Sequence, residues 1–175
     1  MNNKFINKGF TLVEIIVYIF VVAVILIGVT YYAIDVISAQ TKARSYQEVQ
    51  QNARFALKRM IQEIRAADDL NEGSSVFDTN PGTLSLAHQD TAKDPTVFDV
   101  SAGRLRITQG TNGPYYLTSD KVTVTDLTFT NLSVSERTKN IKITLTIEHI
   151  NPENRNEFQA DVTVRSSAVI RVRSD

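Results

Sequence analysis

The sequence predicts an α+β protein, one long N-terminal helix followed by an antiparallel β-rich domain. Three observations carry that expectation. No proline precedes Pro81, and Gly28 is the only glycine between Phe10 and Gly73. Within that stretch an almost wholly apolar run gives way to apolar residues at steps of three and four. After Ser75 the chain turns to short runs rich in Val, Ile and Thr, alternating with period two and separated by turn residues.

The first element is a membrane-length helix. Positions 10–34 hold 16 Leu, Ile, Val or Phe residues, and Glu14 is the one acid or base among them. Those apolar side chains contribute about −5 to −10 kcal/mol toward insertion. One carboxylate costs about +3 kcal/mol at mid-bilayer and less near an edge, so insertion wins. The run spans about 37 Å as a helix, enough for a hydrocarbon core of about 30 Å with some tilt. Lys4 and Lys8 precede it, and short basic flanks stay cytoplasmic. The N-terminus is therefore expected inside, with everything after Ile34 outside.

Glu14 has two readings. It lies at the cytoplasmic boundary and reaches headgroups or water, or it awaits a cationic partner. A cut after Gly9 creates such a partner, a free α-amine on Phe10 that is mostly protonated at neutral pH. Amine and carboxylate attract strongly in a dry environment, and each is costly there alone. A pairing between the amine of one chain and Glu14 of another would fix the axial register of two membrane helices. An ordinary secretory signal is the competing account, with Ile37-Ser38-Ala39 as a passable cut site. Its apolar core spans about 7–15 residues, so the run here is too long, and Glu14 within it is out of place.

Gly9-Phe10-Thr11-Leu12-Val13-Glu14 resembles the cleavage and methylation motif of type IV prepilins and type II secretion pseudopilins. The likeness combines Gly before the cut, Phe after it, Glu at the fifth mature position, a basic leader and a retained apolar helix. The resemblance implies cleavage between Gly9 and Phe10 by a membrane-embedded prepilin peptidase, N-methylation of Phe10, and Glu14 as the assembly residue facing a neighbour's N-terminus. It also implies a pilin-like fold, other pilin or pseudopilin subunits as partners, and an inner-membrane assembly platform. A looser likeness in Asn52-Ala53-Arg54-Phe55-Ala56-Leu57 and Met60-Ile61-Gln62-Glu63-Ile64-Arg65 is similar to J-type pseudopilins and W-type minor pilins. The chain departs from many major pilins in lacking a helix-breaking proline some 20 residues into the mature sequence, where it has Gly28-Val29-Thr30-Tyr31-Tyr32. Gly28 permits a bend or a close helix contact, or is a small residue tolerated in a membrane helix.

Beyond the membrane the helix is expected to become amphipathic. Tyr46, Val49, Ala53, Leu57, Met60, Ile64 and Ala67 form a stripe, and Arg44, Gln47, Gln51, Arg54, Lys58, Gln62 and Arg65 fill much of the remainder. The stripe should pack on the chain's own sheet rather than form a coiled-coil seam, because a domain of about 100 residues needs such a wall. The helix should run to about Asp69 and stop at Asn71-Glu72-Gly73-Ser74-Ser75, with Gly73 near its C-cap.

The strands follow in order. Thr83-Leu84-Ser85-Leu86 and Arg104-Leu105-Arg106-Ile107 alternate. Val122 and Val124 share a face, then Leu127 and Phe129 restart in the other phase, which predicts a bulge or a break. Ile141, Ile143, Leu145 and Ile147 make the clearest strand, and Phe158, Ala160, Val162 and Val164 its partner across the loop 151–156. Ala168, Ile170 and Val172 continue the pattern. One apolar and one polar face suit a sheet covered on one side by the helix. The expected organisation is a leader at 1–9, a membrane and assembly helix at 10–34, an amphipathic continuation at 35–70 and a β-rich head at 71–175.

Composition bounds the chemistry. The 175 residues carry zero formal net charge and no cysteine. That excludes disulfides, thiol catalysis and Cys-based zinc sites, and no global field argues for nucleic acid. His88 and His149 are the two histidines, in different strand contexts. No Gly-x-Ser-x-Gly elbow and no phosphate-cradling glycine loop occurs. Asp90, Asp94 and Asp99 around Pro95, with Asp78-Thr79-Asn80 upstream, offer oxygen ligands of the kind calcium takes. Their spacing matches no EF-hand and reads equally as a solvated turn region; no other cofactor is expected. Arg165, Arg171 and Arg173 make a slightly basic end without an aromatic platform for nucleic acid.

The expected function is that of a non-enzymatic subunit of a type IV pilus or type II secretion-like filament, in a minor or initiating position. It would be stored in the inner membrane with its β-domain extracytoplasmic, then assembled through its N-terminal helix into a pilus or pseudopilus. Two other classes stand beside it. One is a single-pass anchored exoprotein whose β-domain binds a ligand or performs hydrolysis without a filament. The other is a competence pilus subunit that contacts DNA.

Overall fold

The computed structural model describes residues 9–134 and 137–171. Lys4 and Lys8 of the basic leader, and Val172 and Arg173 at the other end, lie outside the described residues. The chain divides into two compact units, Met1–Gln40 and Thr41–Asp175.

Helix α1 runs Leu12–Ala66. In the first unit every residue from 10 to 35 is exposed among the described residues. The helix passes Gly28 without interruption, and a Cβ placed there would meet no atom within 4 Å. Thr30 Oγ1 donates back to Leu26 O at 2.8 Å, so its hydroxyl is satisfied within the helix.

In the second unit α1 buries one face. Val49, Ala53, Ala56, Met60 and Ile64 are wholly enclosed, as expected of an amphipathic stripe packed on the chain's own sheet. The stripe is narrower than its sequence suggests. Tyr46 is 39% exposed and Leu57 half-buried. Ala56 is enclosed instead: Ser45 and Glu63 are buried too, and around the helix both lie about 20° from Ala56 and about 120° from Leu57.

The helix ends at Ala66, short of Asp69, and Gly73 is not its C-cap. Asp69–Leu70 form β1, antiparallel to β2 (Leu84–Ala87) with Leu70 opposite Leu86. Strand pairing that buries Leu70 outweighs another helical turn. Gly73 sits in a short 3₁₀ turn, Glu72–Ser74.

The head contains two antiparallel sheets where the alternating pattern suggested one. The first has five strands in the order β1-β2-β3-β4-β5, with β3 Thr96–Ser101, β4 Arg104–Gln109 and β5 Asn112–Tyr116. The second has three, in the order β6-β7-β8: Val122–Asn131, Thr138–His149 and Asp161–Arg171. The expected bulge falls between Val124 and Asp126, where the register against β7 shifts. It lets both Val124 and Leu127 face inward. The β7–β8 hairpin pairs Leu145 with Val164 and Ile147 with Val162. Phe158 lies in a 3₁₀ turn (Asn156–Phe158) ahead of β8 rather than on the strand. Ala168 and Ile170 continue the same strand inward.

The helix stripe and the inner faces of both sheets form one apolar cluster, with Phe98, Leu105, Phe129 and Ile143 fully enclosed. Polar ties pin the helix to it. Asn52 Oδ1 accepts from Ser119 N–H at 2.8 Å. Glu63, only 7% exposed, pairs with Arg59 at 2.8 Å and accepts from Gln109 Nε2 at 3.2 Å. A buried carboxylate is tolerable only with such partners.

Candidate functional site

The N-terminal end of α1 gathers the motif residues. Thr11 precedes the first helical residue and acts as N-cap: its Oγ1 accepts from Glu14 N–H at 3.3 Å, and its carbonyl accepts from Ile15 N–H at 3.2 Å. Thr11-x-x-Glu14 is the spacing of a capping box. Glu14 stands in the first turn, where the helix dipole favours negative charge. This local role for Thr11 escaped the sequence reading, although the Thr-x-x-Glu spacing signals it.

Phe10 and Gly9 lie just before that cap. Phe10 is 70% exposed and its ring meets Tyr18 edge-on, with centroids 6.3 Å apart. A Cβ at Gly9 would meet nothing within 4 Å, so this chain alone imposes no steric need for glycine there. Glu14 is exposed, and among the described residues no basic side chain pairs with it. The site is thus a capped, acid-bearing helix start flanked by an exposed bond and followed by an uncovered apolar surface. It can anchor in lipid and can pair with a cation. Among the described residues it has no acid–base pair of its own.

The other candidate residues are dispersed. His88 N–H donates to Asp94 Oδ1 at 3.0 Å, and its Nε2 is enclosed without a partner. His149 belongs to a separate setting: its ring stacks on Phe158 at 5.5 Å and Nδ1 lies 3.0 Å from Ile150 O. The acids around Pro95 each have protein partners. Asp90 Oδ1 accepts from Ala92 N–H at 3.0 Å. Asp99 is on β3, not in a loop, and takes Arg106 bidentately at 2.6 and 2.7 Å. Among the described residues no group of three or more His, Asp or Glu side chains converges as a metal site would require.

The family model of the prokaryotic N-terminal methylation motif matches residues 5–30. The matched span contains the cap, Glu14 and most of the uncovered apolar run. It identifies a type IV prepilin-like N-terminus. It ends before Asn52, so the likeness to J-type and W-type proteins rests on 52–65 alone. No curated protein and no solved structure matches the chain.

Proposed function

We propose that the chain is a minor or initiating subunit of a type IV pilus or type II secretion-like filament, assembled through its N-terminal helix after removal of residues 1–9. The observation that carries this reading is the methylation motif at the head of an apolar helix that no described residue of its own chain covers. The motif and the helix support a pilin-like or pseudopilin subunit with a single-pass anchor; the position in the filament is our extension of it.

The physical case begins with the amine that cleavage would bare on Phe10. It lies one residue before the N-cap, at the positive end of the helix dipole, where its own helix disfavours it. The Glu14 carboxylate of a neighbouring subunit offers relief, and the reciprocal need is as strong, since a lone carboxylate is costly in an apolar bundle. The exposed side chains from Leu12 to Ile34 would leave lipid only for a similarly apolar bundle. Prepilin peptidase and the inner-membrane assembly platform are the partners this sequence of events requires.

The test uses the full chain in its native cell. N-terminal sequencing should find a methylated Phe10. Glu14→Ala should leave membrane insertion intact or improved while lowering filament incorporation about tenfold, the equivalent of about 1.4 kcal/mol. A mature start beyond Ala39, or unaltered incorporation of Glu14→Ala, would defeat the reading. Copy number by quantitative mass spectrometry tests the minor role: abundance equal to a main subunit would overturn that part.

A further inference from the structure

The two outer edges of the three-stranded sheet are treated differently. The β6 edge is closed by the segment 76–83. Asp78 N–H donates to Phe129 O at 2.8 Å and Gly82 N–H to Leu127 O at 2.7 Å. Gly82 suits that approach, since a Cβ there would lie a tight 3.2 Å from Leu127 O. At the bulge Asn80 completes the edge, donating from Nδ2 to Thr125 O at 2.8 Å and accepting from Leu127 N–H at 3.2 Å. The opposite edge, β8, is 11 residues long and ends the sheet.

The phase of the ladder says which β8 groups point outward. His149 N–H donates to Ala160 O at 2.8 Å, so these two form a hydrogen-bonded pair. Alternation along an antiparallel ladder then makes Ile147–Val162, Leu145–Val164, Ile143–Ser166 and Ile141–Ala168 hydrogen-bonded pairs as well. Thr163, Arg165, Ser167 and Val169 therefore aim their N–H and C=O groups away from β7. Among the described residues no backbone group receives them. A long edge of this kind is a template for another extended chain.

The side chains specify what kind of chain. Arg165 and Arg171 are exposed on β8, and no carboxylate pairs with them among the described residues. A cavity of about 650 Å³ runs beside the strand's end, lined by Arg65, Ala67 and Asp68 and by Ala168, Val169 and Arg171. The Asp68 carboxylate already accepts from Gln89 N–H at 2.8 Å, and the arginines outnumber it over a floor of small apolar side chains. An added strand that alternates carboxylates with small apolar residues complements both.

A second copy is the poorer match for this edge, since β8 itself, Asp161–Arg171, offers one acid beside two arginines.

We infer that the β8 edge receives an extended acidic–apolar segment from a different subunit of the same filament, by strand addition. This rests on the filament reading above. The test again uses the full chain in native cells. The sequence has no cysteine, so Ser167→Cys can carry a single photo-activated cross-linker. The joined peptide, identified by mass spectrometry, should come from another filament subunit and alternate carboxylates with apolar residues. Val169→Pro removes an outward N–H without breaking a bond to β7, and should lower the cross-link about tenfold while the head stays protease-resistant. Arg165→Glu combined with Arg171→Glu should lower it similarly, and decides the matter where Val169→Pro fails to fold. A cross-link to β8 of a second copy overturns the inference. So does the absence of a cross-link in cells where the chain starts at Phe10 and enters filaments, an outcome that leaves the filament reading standing. Failure to process at Phe10 sinks both.

Discussion

Two stretches of α1 carry large apolar side chains to opposite ends. Between 12 and 34, Ile15, Phe20, Ile25 and Ile34 are all at least 49% exposed. Between 49 and 64, Val49, Ala53, Met60 and Ile64 are 0% exposed. The first stretch is apolar all round, so no single wall could cover it, and its solvent must be apolar from outside the chain. The second has a wet back of Arg54, Lys58 and Gln62 and needs only one wall, which the two sheets supply. Helical periodicity inside an apolar stretch therefore separates a surface meant for lipid or other subunits from one meant for the chain's own core.

The largest expected effect breaks that comparison directly. Met60→Ala should cost the head about 2–5 kcal/mol, since it opens a cavity in a packed core. Ile19→Ala removes a comparable volume from a surface that has no neighbours in the chain, and should leave the head's stability unchanged. Urea unfolding of the full chain in detergent, followed by circular dichroism, would read both. Equal shifts would mean that the first stretch also packs on the head.

A second contrast concerns charge. Ile25→Lys places a cation near the middle of the membrane run and should weaken insertion by about 3 kcal/mol, measured as the inserted fraction in a translocation assay. Lys58, already charged, sits on the wet back of the same helix. Lys58→Ile should change head stability by less than about 0.5 kcal/mol. A large loss there would show that the back of the second stretch is not solvent-facing.

How much was legible in the sequence follows from the range of the interactions. The helix, its apolar half and the motif that holds Gly9, Phe10 and Glu14 are contiguous or periodic, and a local pattern suffices to find them. The β7–β8 hairpin is equally local, and so is the bulge of β6. What escaped depends on distant partners. β5 contains Gly113-Pro114, poor strand formers, and is held by pairing with β4. β3 was hidden among the acids near Pro95, because Asp99 looks like a loop residue until Arg106 on β4 claims it. The helix stop shifted because β2, about fifteen residues on, captures Asp69–Leu70. Division of the strands into two sheets has no sequence signature at all, since both inner faces alternate alike.

The smallest effect belongs to an exposed part of the head, the loop between β7 and β8, which contrasts with the buried Glu63 tie. Glu157 is held below its ordinary carboxylate value, first by a hydrogen bond from its own backbone N–H and then by Arg155, whose Nη2 donates at 2.6 Å. Arg155 also lies over the Phe158 ring at 5.2 Å, which stacks on His149. A carboxyl whose folded value is lowered contributes fully above its ordinary value and loses that contribution as pH falls through the folded one. The loop should therefore keep its order down to the ordinary carboxylate value of 4.5 and loosen below it. The pair is solvent-exposed, so the head's unfolding midpoint should hardly move. Amide exchange of residues 150–160 across an acid titration would show the change, and Glu157→Gln should abolish its pH dependence. A loop that loosens over the same acid range in Glu157→Gln would mean that the Glu157 carboxylate does not govern it.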